Sequence, residues 1–147
     1  MSDEFQREIA FGLENLERVK KTLLQIARHD LPMFVMDPAL AYECVGYYNA
    51  SEHLMLRFVK YQRLPKPAGA ATHKDTLRLF EEIINKSGML IEKEQMNFLL
   101  QLMGFRHIAT KIYGFLIDHE RLLLLVESIE KNHEMWKTTI VELTKKM

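Results

Sequence analysis

The chain is poor in the residues that cross-link or bind metal. One cysteine, Cys44, among 147 residues excludes an internal disulfide and a cysteine-ligated cluster. Its setting, Tyr42-Glu43-Cys44-Val45-Gly46, reads as helix interior, where a small buried hydrophobe is the expected role. His29, His119 and His133 fall on separate segments with no His-x3-His or carboxylate-paired spacing, so no zinc or di-iron site is expected. No glycine-rich phosphate loop occurs, and no cofactor is called for. Twenty basic and twenty acidic residues cancel, which removes any overall field toward nucleic acid; DNA is not expected, and RNA contact requires a local patch. Long apolar runs are missing too: Leu122 to Val126 spans only five residues, so no membrane partner is expected. The charged start, Ser2-Asp3-Glu4-Phe5-Gln6-Arg7-Glu8, lacks the apolar centre of a signal peptide, and a cytoplasmic location is expected.

Proline and glycine are scarce, at four and six residues, and strand-like alternation and internal repeats are absent. What remains is a composition of 48% hydrophobic and 27% charged residues at helical spacing. A chain this long buries roughly two-thirds of its unfolded surface as one domain, residues 1–147. A first helix is predicted from Asp3 to Arg28, with Ile9, Leu13, Leu16, Leu23 and Ile26 on one face. Leu31-Pro32 stops it. Asp37-Pro38 reads as a restart, with a capping carboxylate and a proline in the first turn of a helix that runs to Tyr61. Pro65 and Pro67 with Gly69 define a loop. Thr72 and Asp75 suggest a capping box for a third helix, which ends near Lys86 before Ser87-Gly88. A fourth is predicted from Ile91 to Tyr113, closed by Gly114, and a fifth after Asp118. The predicted fold is all-α: an antiparallel up-and-down bundle of about five helices.

Within this apolar chain one polar segment stands out, Phe105-Arg106-His107-Ile108-Ala109-Thr110-Lys111-Ile112-Tyr113-Gly114. Arg106 and Tyr113 lie seven positions apart, within about 20° of one another on a helix, on a ridge with Met96, Leu99, Met103 and Thr110. An unpaired buried charge is costly, so Arg106 is expected to face a cleft, a carboxylate or a phosphate. Because a lone subunit would struggle to cover this seam, a symmetric homodimer around the second and fourth helices is expected.

The segment resembles the HepT-like proteins of the HEPN superfamily, helical partners of minimal nucleotidyltransferases in toxin–antitoxin pairs. Their motif is an arginine, four residues, a histidine, one residue and a tyrosine. Arg106 and Tyr113 match its ends, as do the flanking Phe105, His107, Phe115 and Asp118, but Lys111 stands at the histidine. Tyr48-Asn49-Ala50-Ser51-Glu52-His53 also resembles the aromatic–Asn–small–x–Glu pattern of relatives. The resemblance implies a metal-independent RNase acting on RNA and a small nucleotidyltransferase as antitoxin. The arginine would clamp phosphate, the imidazole would transfer protons, and the tyrosine would be the AMP acceptor.

Lysine, with an ordinary pKa of about 10.4, cannot take over the imidazole's work without a large shift, though it can hold phosphate. The candidate catalytic set is therefore Arg106 with His107 or Lys111, supported by Glu52, Tyr48 and Asn49 and with Tyr113 as the modification candidate. The plainer readings are an Arg106–Glu52 ion pair, a core role for Tyr113, and an inactive binding subunit or AMPylation substrate in place of an enzyme. His73 reads as a solvated helix start, and Lys60, Arg63, Lys66 and Lys74 as a basic group near the loop that could extend an RNA path.

Overall fold

The computed structural model describes residues 2–111 and 117–147. Among these residues five helices form in chain order: α1 (Asp3–Ala27), α2 (Met33–Tyr61), α3 (Thr72–Lys86), α4 (Lys93–Lys111) and α5 (His119–Lys146). No strand occurs among the described residues, and no helix is long and apolar enough to cross a membrane. The all-α helical bundle expected from the periodicity is therefore what forms.

α2 is the axis of the bundle and packs against each of the other four helices. Its burial explains this: Leu40, Cys44, Tyr47, Tyr48, Ser51, Leu54, Met55 and Phe58 recur at three- and four-residue steps and are sealed along one broad face. Each large apolar side chain sealed in this way contributes roughly 1.5–3 kcal/mol relative to exposure. α1 buries a narrower stripe, Phe5, Ile9, Leu16 and Leu23, at helical steps. Gly12 sits in that stripe because α1 touches α2 there; a Cβ at Gly12 would meet Leu54 Cδ2 at 2.5 Å. Trp136 of α5 is sealed against Phe80 of α3, and its indole N–H donates to Ser51 Oγ of α2 at 3.1 Å. Cys44 is buried as expected, and burial with the nearby Glu43 charge pushes its thiol up to about 12.

The helix ends depart from expectation in two places. α2 begins at Met33, capped by Pro32, so Asp37 and Pro38 lie inside it. Asp37 is therefore no N-cap; it is buried and accepts a hydrogen bond from His119 Nδ1 at 2.7 Å, tying α2 to the start of α5. Pro38, which has no N–H, is tolerated near the end of the helix, where the unbonded carbonyl would belong to Phe34, an 81% exposed residue. At α3 the capping box does not form, because Thr72 is already helical and its hydroxyl donates backwards to Gly69 O at 2.7 Å. α4 is described only to Lys111, so the expected end at Tyr113 and Gly114 lies outside the described residues. The remaining signals are as expected: Gly88 adopts φ 88° after α3, and Asp118 accepts from Glu120 N at 3.0 Å to cap α5.

Candidate functional site: a glutamate–histidine–arginine chain

Arg106 sits half-buried in the last turns of α4, on a helix otherwise anchored by Phe98, Leu99, Leu102 and Phe105. Its guanidinium points at the middle of α2 and the first turn of α3. Nε donates to Asn49 Oδ1 at 3.0 Å, and Nη1 donates to His73 Nε2 at 2.9 Å. His73 Nδ1 lies 2.5 Å from Glu52 Oε2, and the Tyr48 hydroxyl donates to the same oxygen at 2.7 Å. The Tyr48 and His73 rings meet edge to face with centroids 5.8 Å apart.

Local sequence explains the convergence. Tyr48, Asn49 and Glu52 are spaced three and four apart, hence on one face of α2. The loop of residues 62–71 folds the chain back on α2, and the Thr72–Gly69 bond fixes the first turn of α3 with His73 inward. Leu99 and Phe105, buried in the same core, set the register of α4 that brings Arg106 to the middle of α2.

Hydrogen-bond chemistry assigns the protons. An arginine N–H can only donate, so His73 Nε2 must accept with its lone pair. The imidazole is then neutral, its proton sits on Nδ1, and Nδ1–H donates to the Glu52 carboxylate. Burial, followed by the hydrogen bond and charge of Glu52, pushes the Tyr48 hydroxyl above its ordinary range, so it remains a donor. Exposure grades along the chain: the Glu52 side chain is 12% exposed and that of His73 36%. The carboxylate is held inside while the imidazole reaches solvent and Arg106 is half-buried. Such an arrangement can grip an oxyanion with Arg106 and accept a proton at His73 Nε2.

The structure brings together four of the residues singled out in the sequence: Arg106, Asn49, Glu52 and Tyr48. The expected direct Arg106–Glu52 ion pair does not form; His73 stands between the two, one imidazole width separating guanidinium from carboxylate. His107 and Lys111 are both exposed and have no hydrogen bond or ion pair to the cluster. Tyr113 lies outside the described residues. The apolar ridge below Arg106 is covered largely within the subunit: Leu99 is sealed, and Met96 and Met103 pack against the core. His73 is the residue that sequence reasoning misplaced. Its position beside a proline loop gave the signal, since such a loop returns the start of the next helix to the preceding one.

A second histidine cluster lies elsewhere in the bundle. His133 of α5 is fully buried; its Nδ1 accepts from the Tyr47 hydroxyl at 2.8 Å, and its Nε2–H donates to Glu17 of α1. Burial pushes His133 below its ordinary range, in spite of Glu17, and keeps it neutral. Burial would raise Glu17, but the His133 hydrogen bond and the charges around it bring its carboxyl below the ordinary value. Glu17, His133 and Glu134 place ligand-type atoms within 4.8 Å of one another. Both imidazole nitrogens are already engaged, however, and Lys137 Nζ lies 3.9 Å from Glu17, so the cluster is better suited to holding helices than to holding a cation.

No curated protein and no solved structure matches the chain. A family profile described as HepT-like protein matches residues 39–147, from the body of α2 through α5, and so includes every member of the Glu52–His73–Arg106 chain. Covering well over half of the sequence, that match shows that the chain belongs to the HepT-like protein family.

Proposed function

We propose that this protein is a toxin-type RNase that cuts RNA with Arg106 and His73, and that a partner nucleotidyltransferase neutralises it. The observation that carries the reading is the continuous Glu52–His73–Arg106 chain, with the carboxylate inside and the imidazole partly exposed. The imidazole missing from the family motif at Lys111 is supplied from α3 by His73. A phosphate arriving at the site draws the Arg106 fork onto its oxygens, and this frees the His73 Nε2 lone pair. Nε2 then takes the proton of the ribose 2′-hydroxyl. The 2′-oxygen attacks phosphorus, the 5′-oxygen leaves with a proton from water, and a 2′,3′-cyclic phosphate and a 5′-hydroxyl result. Glu52 holds the tautomer and stabilises the imidazolium, while Asn49 aims the guanidinium. Tyr113 remains the candidate AMP acceptor, and the charge of an added nucleotide would repel RNA. A homodimer that joins two such sites belongs to the same reading.

Purified protein incubated with total tRNA in EDTA across pH 5 to 9 tests this. The expected result is cleavage to cyclic-phosphate ends, lost in both Arg106→Ala and His73→Ala. Cleavage that survives in His73→Ala removes the imidazole assignment.

A second reading is supported by one specific observation: Arg106 already occupies His73 Nε2, the state expected of a settled structural pair. The protein would then be a catalytically inactive binding subunit or AMPylation substrate of the nucleotidyltransferase. Absence of cleavage by the wild-type protein at every pH, with AMP transfer to Tyr113 intact, would select it.

A further inference from the structure

Beside the Glu52–His73–Arg106 chain a cavity of about 600 Å³ opens between the second half of α2 and the proline loop. Glu52 and Thr72, the neighbour of His73, line its near end, so it is continuous with the candidate site. Four cations, Arg57, Lys60, Arg63 and Lys66, line the rest, against the single acid Glu52. On a chain of net charge zero this is a strong local excess. The four are not equivalent. Arg57 and Lys60 are held by Glu8 at 3.0 and 3.3 Å, whereas Arg63 and Lys66 have no ion pair among the described residues.

Arg63 carries a second and independent mark. It is the one described non-glycine residue in the left-handed region, with φ 57°, directly after α2. Glycine is the relaxed choice at such a helix end, and an arginine there bears steric cost. The backbone strain places a guanidinium at the rim of the cavity, where glycine would place nothing. The floor is aliphatic, with Leu56 and Leu64. Cations around an apolar floor match a nucleotide, whose phosphate is charged and whose base has an uncharged face. The volume falls within the range of small-ligand pockets, which suits a splayed-out single strand rather than a duplex.

We propose that this cavity binds the single-stranded RNA segment next to the cleaved phosphate, with Arg63 and Lys66 each holding one backbone phosphate and Leu56 and Leu64 supporting a base. The inference rests on the reading of the Glu52–His73–Arg106 chain as an RNA site and adds its direction: the strand leaves Arg106 along α2 toward the loop.

The test separates binding from cleavage by use of a fluorescent 2′-O-methyl RNA 12-mer of mixed sequence, which lacks the attacking hydroxyl. Anisotropy titrations across a salt series compare wild type with Arg63→Gly, Arg63→Lys, Lys66→Ala and, as a distant control on α5, Lys131→Ala. Each lost phosphate contact should weaken binding about 5-fold near 0.1 M salt and lower the log–log salt slope by about 0.7. Arg63→Lys should restore most of the affinity. Arg63→Gly should retain the wild-type melting temperature, since its backbone favours glycine, so weakened binding there cannot be ascribed to unfolding. Lys131→Ala should bind as wild type does. Affinity and slope unchanged in folded Arg63→Gly and Lys66→Ala overturn the proposal, as does displacement of the 12-mer by AMP at equal concentration, which would mark a mononucleotide pocket. Cleavage of tRNA by Arg63→Gly at the wild-type rate with unchanged binding would sink the groove and leave the RNase reading standing. Groove-dependent binding without cleavage by the wild type would do the reverse.

Discussion

His133 and His73 are wired alike at different depths of one bundle. Each takes a glutamate on one nitrogen and a third polar group on the other, and each is held as a neutral tautomer. At His133 the third group is the Tyr47 hydroxyl, and neither the imidazole nor the phenol reaches solvent. At His73 it is the Arg106 guanidinium, and the ring is about one-third exposed. The buried imidazole and phenol can bond only to each other and to Glu17, so their free energy goes into fixing α1, α2 and α5. The open chain can exchange Arg106's hydrogen bond for one to an incoming anion. Similar wiring thus yields a structural clamp where the third group is an enclosed phenol, and a candidate reaction site where it is a half-buried cation beside a partly exposed imidazole.

The largest expected effect falls on the open chain. His73→Ala should lower the tRNA cleavage rate by about 10²–10⁴-fold, as loss of a proton-transfer group does, while urea denaturation shows a stability change within about 1 kcal/mol. A comparable loss of stability would erase the distinction between the two histidines. His133→Ala should show the opposite pattern. It strands the Glu17 carboxylate and the buried Tyr47 hydroxyl and opens a cavity, for a loss of about 3–5 kcal/mol in urea denaturation. Activity per folded molecule should remain.

Acid should find the sealed chain as well. His133 titrates lower in the folded state than its unfolded value of 6.5, and Glu17 lower than 4.5, so the unfolded chain binds more protons below neutrality. The His133 contribution should fade as pH falls below about 6.5, and that of Glu17 further down, as its folded carboxyl protonates. Melting curves from pH 7 to 4 should fall for wild type and be flatter above pH 5 for His133→Gln; equal slopes would show that His133 is not held neutral. A smaller effect sharpens the open chain. Asn49→Ala leaves Arg106 without its Nε anchor and should cost about 10-fold in cleavage through misaim alone. The smallest concerns the family's motif position: Lys111→His should alter the rate by less than about 3-fold if His73 already supplies the imidazole. An increase of more than about 10-fold would return that role to the end of α4.

Legibility in the sequence followed the range of the interaction. Apolar spacing in α1 and α5, the proline loop, Gly88 and the Asp118 cap are local in origin, and all appear where the chain predicts them. Tyr48, Asn49 and Glu52 were readable through a family pattern, with Glu52 as the expected partner of Arg106, whereas Asn49 and His73 hold the guanidinium in the structure. His73 was signalled only by its place after the proline loop, and its role depends on where the loop of residues 62–71 sets the first turn of α3. Asp37 was misassigned for a related reason: an aspartate before a proline satisfies every local rule for a cap, and only packing against α5 supplies His119 as the better partner.

The sequence by itself determined that the chain is helical, where most of its helices fall, and that one arginine on α4 would need a polar neighbour. Periodicity, capping and the cost of burying charge act over a few residues and can be read in order. Only the tertiary structure decided which imidazole meets that arginine, which one is sealed as a clamp, and which cations remain unpaired around the cavity. Those outcomes turn on distances between residues dozens of positions apart, and these are set when the helices pack.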